Sequence, residues 1–186
     1  FDEVKEPAFV MTSANPPNTP IVTGNEEALK RLGTTVDFFL FHNRHISHRC
    51  YDSVMRTHSE RLVFIRRSRG YAPIPVTLKE RSKRNVVGLG GELNNTACVL
   101  IDEKAFISQH IGDVENIEAK EFLGEAIERL INLTNSKIEA VACDFHPMFT
   151  TTQLAYELAE QNSWQIVKVQ HHHAHIAALM AEYGIN

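Results

Sequence analysis

The apolar positions of the chain follow two regimes. Over the first eighty residues they come in short runs. Ala8-Phe9-Val10-Met11, Asp37-Phe38-Phe39-Leu40-Phe41 and Arg61-Leu62-Val63-Phe64-Ile65 each have the length and content of a short buried strand. Thr12 to Pro17 is loop, and Gly24 to Leu32 predicts a short helix. Farther on the pattern sharpens. Asn85-Val86-Val87-Gly88-Leu89-Gly90 is a strand ending in glycines, and Thr96 to Ile101 with Ala105 to His110 forms a hairpin turning at Asp102-Glu103-Lys104. Ile117 to Leu133 carries Phe122, Leu123, Ala126, Ile127, Leu130 and Ile131 on one broad helical face. Ala140 to Cys143 is a strand stopped by Pro147, Thr150 to Asn162 a helix with threonine caps, Ile166 to Val169 a strand, and Ile176 to Tyr183 a helix.

The order of this second region is βββαβαβα, which matches the ribonuclease-H-like layout of sugar kinases and actin-type ATPases. Between the two regimes the stretch VTLKERSKRN is charged and without apolar periodicity, so a linker is placed at residues 77–84. The sequence therefore predicts an α/β protein with one region at 1–76 and a second at 85–186. A composition of 43% hydrophobic and 23% charged residues is that of an ordinary globular protein, and no apolar run reaches membrane-spanning length. No signal peptide opens the chain, and its start at Phe1 fits a processed product or a piece cut from something longer. Cys50, Cys98 and Cys143 are odd in number and far apart, which argues against a disulfide framework and for a reducing, cytoplasmic setting.

The net charge of −4 hides an asymmetry. Residues 42–84 hold eleven Lys and Arg against three acids, a balance of +8 that leaves −12 for the rest. Such a block fits a phosphate-bearing partner or a solvated charged face. Within it, Arg66, Arg67 and Arg69 place three guanidiniums in four residues, where they repel unless an anion or carboxylates lie between them. A strand edge turning its arginines outward would look the same. In GLGGELNNT, glycines after a strand expose amides able to cradle a phosphate, with Gly90, Gly91, Asn95 and Thr96 the candidates. A tight hairpin turn is the plain alternative, and no helix follows to make a dinucleotide fingerprint.

Four of the ten histidines fall within residues 171–175, at a strand-to-helix junction where open α/β folds place ligands. His171 and His175 are four apart and face the same side of a helix, as in paired-histidine zinc helices. Two imidazoles are half a tetrahedral site, so the spacing fits a metal or only a polar helix start. Asp144, at the end of its strand, is a third ligand, a partner fixing a histidine tautomer, or a turn former.

Taken in order, MTSANPPNTPI, FLFHNRHISHRCYDSVMR, IRRSRGYAPIP, GLGGELNNT, SQHIGD, DFHPMFTTTQLA and VQHHHAHIAALMAEYG resemble the HypF family, the carbamoyltransferases of NiFe-hydrogenase maturation. The last motif is the most specific and TSAN alone would be weak. The resemblance runs through nearly the whole chain and implies a central part of a much longer protein. That part lacks the family's acylphosphatase-like and zinc-finger regions and the second lobe of its last domain. It makes residues 1–76 the C-terminal part of a YrdC-like mixed α/β domain and 85–186 the first lobe of a TsaD-like domain. The implied chemistry is formation of carbamoyl adenylate from ATP and carbamoyl phosphate-derived carbamate, then transfer to the C-terminal cysteine of the partner HypE for the iron cyanide ligands. By position, Thr12, Ser13 and Asn15 correspond to a nucleotide-binding segment, as do Asp52 and Ser53, with Arg66, Arg67 and Arg69 holding phosphates. His171 and His175 correspond to a pair binding a divalent metal, iron or zinc, beside Mg-ATP. Tyr51 stands where a second Asp is expected, and Asn94 where Lys is usual. A tRNA threonylcarbamoyl transferase would share both domain types but differ between the outer histidines. A non-catalytic metal- or nucleic-acid-binding module would account for the charge and the histidines but not for the motif order. The implied partners are thus small molecules and HypE, with neither nucleic acid nor membrane.

Overall fold

The computed structural model describes Ala8 and residues 10–185. Packing divides the chain into two compact units, 1–49 and 50–186. In the first, helix α1 (Asn25–Leu32) has acids in its first turn and bases in its last, the arrangement that suits the helix dipole. An Arg31–Glu27 pair at 3.0 Å spans one turn. Loops are tied by Asn25 Nδ2 donating to the His42 carbonyl at 3.1 Å and Arg49 Nε to that of Ile21 at 3.0 Å.

Two strands expected in this unit do not form among the described residues. Of the expected 8–11 strand, Phe9 lies outside the described residues, while Val10 and Met11 are exposed and unpaired. The 37–41 run is also irregular, with Phe38 at 91% and Leu40 at 100% exposure. An apolar run becomes a strand only where another strand pairs its backbone, and the described part of this unit supplies none.

The second unit opens with a hairpin, β1 (Val54–His58) and β2 (Arg61–Arg66), whose two-residue turn puts Ser59 and Glu60 at φ 46° and 62°. Both central residues in the left-handed region are what a turn matching strand twist requires. β3 (Val76–Thr77), β4 (Val86–Gly88), β5 (Cys98–Ile101), β6 (Lys104–Ile107), β7 (Ala140–Asp144) and β8 (Gln165–Val169) form a mixed six-stranded sheet in the order β3-β6-β5-β4-β7-β8. The β4–β7 and β7–β8 pairs are parallel and the others antiparallel. From β4 onward the βββαβαβα order of the sequence reading is present, with β3 added at one edge. The 77–84 stretch is tied to the sheet, because the Leu78 and Ser82 amides donate to the carbonyls of Glu103 and Asp102 at 2.7 and 2.8 Å.

Helix α2 (Ile117–Thr134) begins where the Asn116 side chain accepts from the Ala119 amide at 2.8 Å, and ends at Asn135 with φ 47°. Its stripe of Phe122, Leu123, Ala126, Ile127 and Leu130 joins Val87, Val99 and Val141 of the sheet, and Leu89 just past β4, to make the core. Helix α3 (Thr150–Asn162) is not capped by threonine as expected. Thr151 and Thr152 are fully buried, and the Thr150 amide instead donates to Glu92 Oε1 at 3.0 Å. Helix α4 (His171–Tyr183) starts five residues before Ile176, because the polar histidines fill its first turn and the Gln170 side chain accepts from the His171 amide.

Candidate functional site

The parallel pairing sets what can meet. In register, Gly88 of β4 faces Ala142 of β7, and Asp144 of β7 faces Val169 of β8. The carboxyl ends of three adjacent strands therefore release the glycine loop, Asp144 and the histidine turn along one edge, the edge where open α/β sheets take ligands. There a cleft of about 400 Å³ opens, lined by Gly90, Gly91, Asn94, Asn95 and Thr96 on one side and Asp144, His171, Ala174, His175 and Ala178 on the other.

The loop is held by its own side chains. Gly90 sits at φ 69°, and a methyl there would lie 3.2 Å from Asn95 Nδ2. The buried Asn95 donates through Nδ2 to the carbonyls of Leu89 at 2.6 Å and Gly91 at 2.5 Å, and its Oδ1 is left without a partner. The Asn94 amide donates to Asp113 Oδ1 at 2.8 Å and the Asn95 amide to the Gly112 carbonyl at 2.8 Å. Those two amides are thereby removed from any phosphate cradle. Glu92 fastens the loop to the start of α3, and its carbonyl accepts from the Val114 amide at 2.9 Å.

Opposite, His171 Nδ1 lies 2.7 Å from Asp144 Oδ2, and His171 Nε2 lies 3.1 Å from His175 Nε2. Asp144 Oδ1 accepts from the His146 amide at 2.9 Å. Burial pushes the Asp144 carboxyl up, but hydrogen bonds from the His146 amide and the His171 ring outweigh it and hold the group below its ordinary value. Gly91 gives the His171 ring its room, since a methyl at that position would stand 3.3 Å from Cε1. Two Nε2 atoms 3.1 Å apart suit adjacent ligands of one cation at roughly 2.0–2.1 Å. Among the described residues no third His, Cys, Asp or Glu completes a ligand set. Of the roles the sequence left open for Asp144, the 2.7 Å contact with His171 Nδ1 fits the partner that fixes a histidine tautomer.

The structure thus brings Gly90, Gly91, Asn95 and Thr96 together with His171 and His175. The arginines lie elsewhere in this unit. Arg69 pairs with Asp52 at 3.3 Å in an exposed contact and donates through Nη2 to the Cys50 carbonyl at 2.8 Å. Ser53 Oγ donates to the Arg69 carbonyl and accepts from the Ser68 amide. Arg67 donates to the Ile74 carbonyl, while its Nη1 is buried and unpartnered, and burial lowers its pKa. Arg66 closes β2 and none of the three lines the cleft. In the other unit Thr12 is exposed, and Ser13 donates to Asn15, whose Nδ2 donates to the carbonyls of Pro16 and Thr19. Sequence reasoning missed Glu92 and Asp113 as anchors of the loop. Both lie inside motifs it had isolated, and an acid in a glycine-rich turn is itself the signal of an amide acceptor.

Residues 81–182 match the family model of the HypF Kae1-like domain, and residues 1–68 a model described as telomere recombination. The chain is 46% identical over 179 residues to a probable carbamoyltransferase HypF of Methanocaldococcus jannaschii, covering 96% of this chain and 23% of that protein. It is 48% identical over 179 residues to carbamoyltransferase HypF2 of Cupriavidus necator, covering 95% and 22%. The chain thus spans less than a quarter of the length of these relatives. A crystal structure of full-length HypF in a phosphate- and nucleotide-bound form superposes with a TM-score of 0.86 at 42% identity, over 94% of this chain and 27% of that one. That of T. kodakarensis HypF gives 0.87 at 40%, over 95% and 23%. With these matches the chain belongs to the HypF family.

Proposed function

We propose that this chain is the central part of a carbamoyltransferase of hydrogenase maturation and contributes half of its transfer site. The observation that carries the reading is the facing of the Gly90–Thr96 loop and the His171–His175 pair across one cleft. In the proposed sequence the YrdC-like part joins carbamate, derived from carbamoyl phosphate, to the α-phosphate of ATP with release of pyrophosphate. The TsaD-like part then lets the C-terminal cysteine thiolate of HypE attack the carbamoyl carbon. The new C–S bond forms as the C–O bond to AMP breaks.

Each residue set has a task suited to its chemistry. Gly90 and Gly91, which carry no side chain to block approach, lie against the phosphate of the adenylate. Asn95 and Glu92 keep that loop from collapsing. His171 and His175 would hold a divalent cation, iron or zinc, through their Nε2 atoms, and when bound it would supply charge for the phosphate or polarise the carbamoyl oxygen. Arg66, Arg67 and Arg69, with Asp52 and Ser53, and Thr12, Ser13 and Asn15, serve Mg-ATP in the adenylation step. The carbamoyltransferase names of the relatives favour this reading over a threonylcarbamoyl transferase of tRNA. Among the described residues no helix is long and apolar enough to cross a membrane. The proposal places the protein in the cytoplasm, a reducing setting in which the three cysteines stay free.

The test uses the full-length parent. His171→Ala and His175→Ala lower its metal content by elemental analysis and abolish the carbamoyl mass increment on a HypE C-terminal peptide, whereas His172→Ala changes metal content far less. Equal metal in the wild type and the double variant refutes the reading.

A further inference from the structure

We propose that Asp144 is a positioning residue that locks His171 in its Nδ1–H tautomer and so keeps the Nε2 lone pair turned toward the point it shares with His175. The purpose of that lone pair rests on the metal reading above; the tautomer does not.

The argument is one of hydrogen-bond capacity. An ionised carboxylate only accepts, so the 2.7 Å contact between Asp144 Oδ2 and His171 Nδ1 requires the proton on Nδ1. A neutral ring protonated there has its lone pair on Nε2. That atom lies 3.1 Å from His175 Nε2, so in the cation-free chain His175 Nε2–H donates to it. Asp144 cannot turn away easily. Its side chain keeps only 9% of its accessible surface, its other oxygen holds the His146 amide at 2.9 Å, and its backbone ends β7 in register with β8. Gly91, where a methyl would stand 3.3 Å from Cε1, leaves the ring the place it takes beside the carboxylate. Backbone, carboxylate and ring thus form a fixed series from the sheet to the cleft, the arrangement by which a partner carboxylate orients a ligating imidazole.

This geometry makes the isosteric variant informative. In Asp144→Asn the His146 amide still needs an oxygen, so the new NH2 group turns toward His171 Nδ1. Nδ1 must then accept, and the proton moves to Nε2, where it blocks the lone pair. Asp144→Ala leaves the ring free to choose. The asparagine is therefore at least as damaging as the alanine, although it preserves the shape of the site better, an order that a merely structural role would reverse.

The experiment reads the tautomer directly. Long-range 1H–15N spectra of the chain labelled at its histidine rings, with the His171 signals assigned by their loss in His171→Gln, give the protonated nitrogen at neutral pH. A protonated Nδ1 in the wild type and a protonated Nε2 in Asp144→Asn are expected. Titration of the full-length parent with Zn2+ alone should show the apparent affinity falling roughly 10- to 100-fold in Asp144→Asn, and no less than in Asp144→Ala. A wild-type His171 protonated on Nε2 overturns the proposal without any variant, as does a tautomer unchanged in Asp144→Asn. A full-length parent that takes up no zinc overturns the metal reading instead, and the two tautomers then decide the role of Asp144 on their own.

Discussion

Asn95→Asp replaces an amide by a carboxylate of the same shape, so it leaves no cavity and isolates the polar contribution of one buried side chain. Asn95 is 3% exposed and donates two hydrogen bonds, to the carbonyls of Leu89 and Gly91. Losing the donor sets a carboxylate oxygen against two carbonyl oxygens. At about 1–3 kcal/mol for each acceptor left unsatisfied, the cost is about 2–6 kcal/mol, a large part of the roughly 5–15 kcal/mol that holds a domain together. The pH dependence has a definite sign. Facing two carbonyls raises the folded pKa of the introduced acid above its unfolded value near 3.9. The penalty is therefore smallest below that value, where the protonated acid still donates one bond. It grows as the pH rises toward the folded pKa, by about 1.4 kcal/mol per unit. Urea denaturation of both proteins at pH 4 and pH 7 measures this. A loss under about 1 kcal/mol at pH 7, or equal losses at the two pH values, would refute the account of the loop.

Gly90→Ala forces a side chain into the left-handed region and toward Asn95, and should cost about 1–2 kcal/mol by denaturation; a neutral effect would mean the loop relaxes freely. Burial pushes the Cys98 thiol up to about 11 from 9.0. The folded state therefore favours the neutral thiol, whose stabilisation is complete below pH 9.0 and disappears as the pH rises through about 11. The loss of stability over that window should be smaller in Cys98→Ala, and identical alkaline limbs would contradict it. In the full-length parent, Arg67→Ala or Arg69→Ala should raise the Michaelis constant for ATP about tenfold or more if each makes a charge-assisted phosphate contact. Unchanged ATP–pyrophosphate exchange would assign them to the bonds with the Ile74 and Cys50 carbonyls and the pair with Asp52.

What the sequence made legible follows the density of apolar information. The helix at 117–134 and the strands at 140–144 and 165–169 could be read because each buries a face or an interior run, and burial writes a period into the chain. The strand Val54–His58 could not, since all five residues are exposed and leave no such imprint. The opposite error arose at 37–41, where an apolar run has no strand beside it among the described residues. The first turn of α4 left no apolar period, because histidine is not counted as apolar, and showed only in the four-residue spacing of His171 and His175; the cap that starts it is the single side chain of Gln170. Gly90, Gly91, His171 and His175 were recognisable as motifs one at a time. That they share a cleft depends on parallel pairing between segments far apart in the chain, which no local pattern encodes.

The junction of β7 and β8 has a consequence for assembly. Asp144 and His171 are 27 residues apart, and they meet only if the two strands are paired in one register. A slip by a single residue would turn each side chain of β8 to the other face and carry its following turn about 3.3 Å along the edge. The 2.7 Å contact would then be lost. The His171 ring is therefore a reporter of sheet closure. During refolding its Nδ1 signal should appear with the non-local strand pairing, after local helix formation, because parallel pairs across an intervening helix are slow to close. A time-resolved measurement on that one imidazole would date the completion of the sheet.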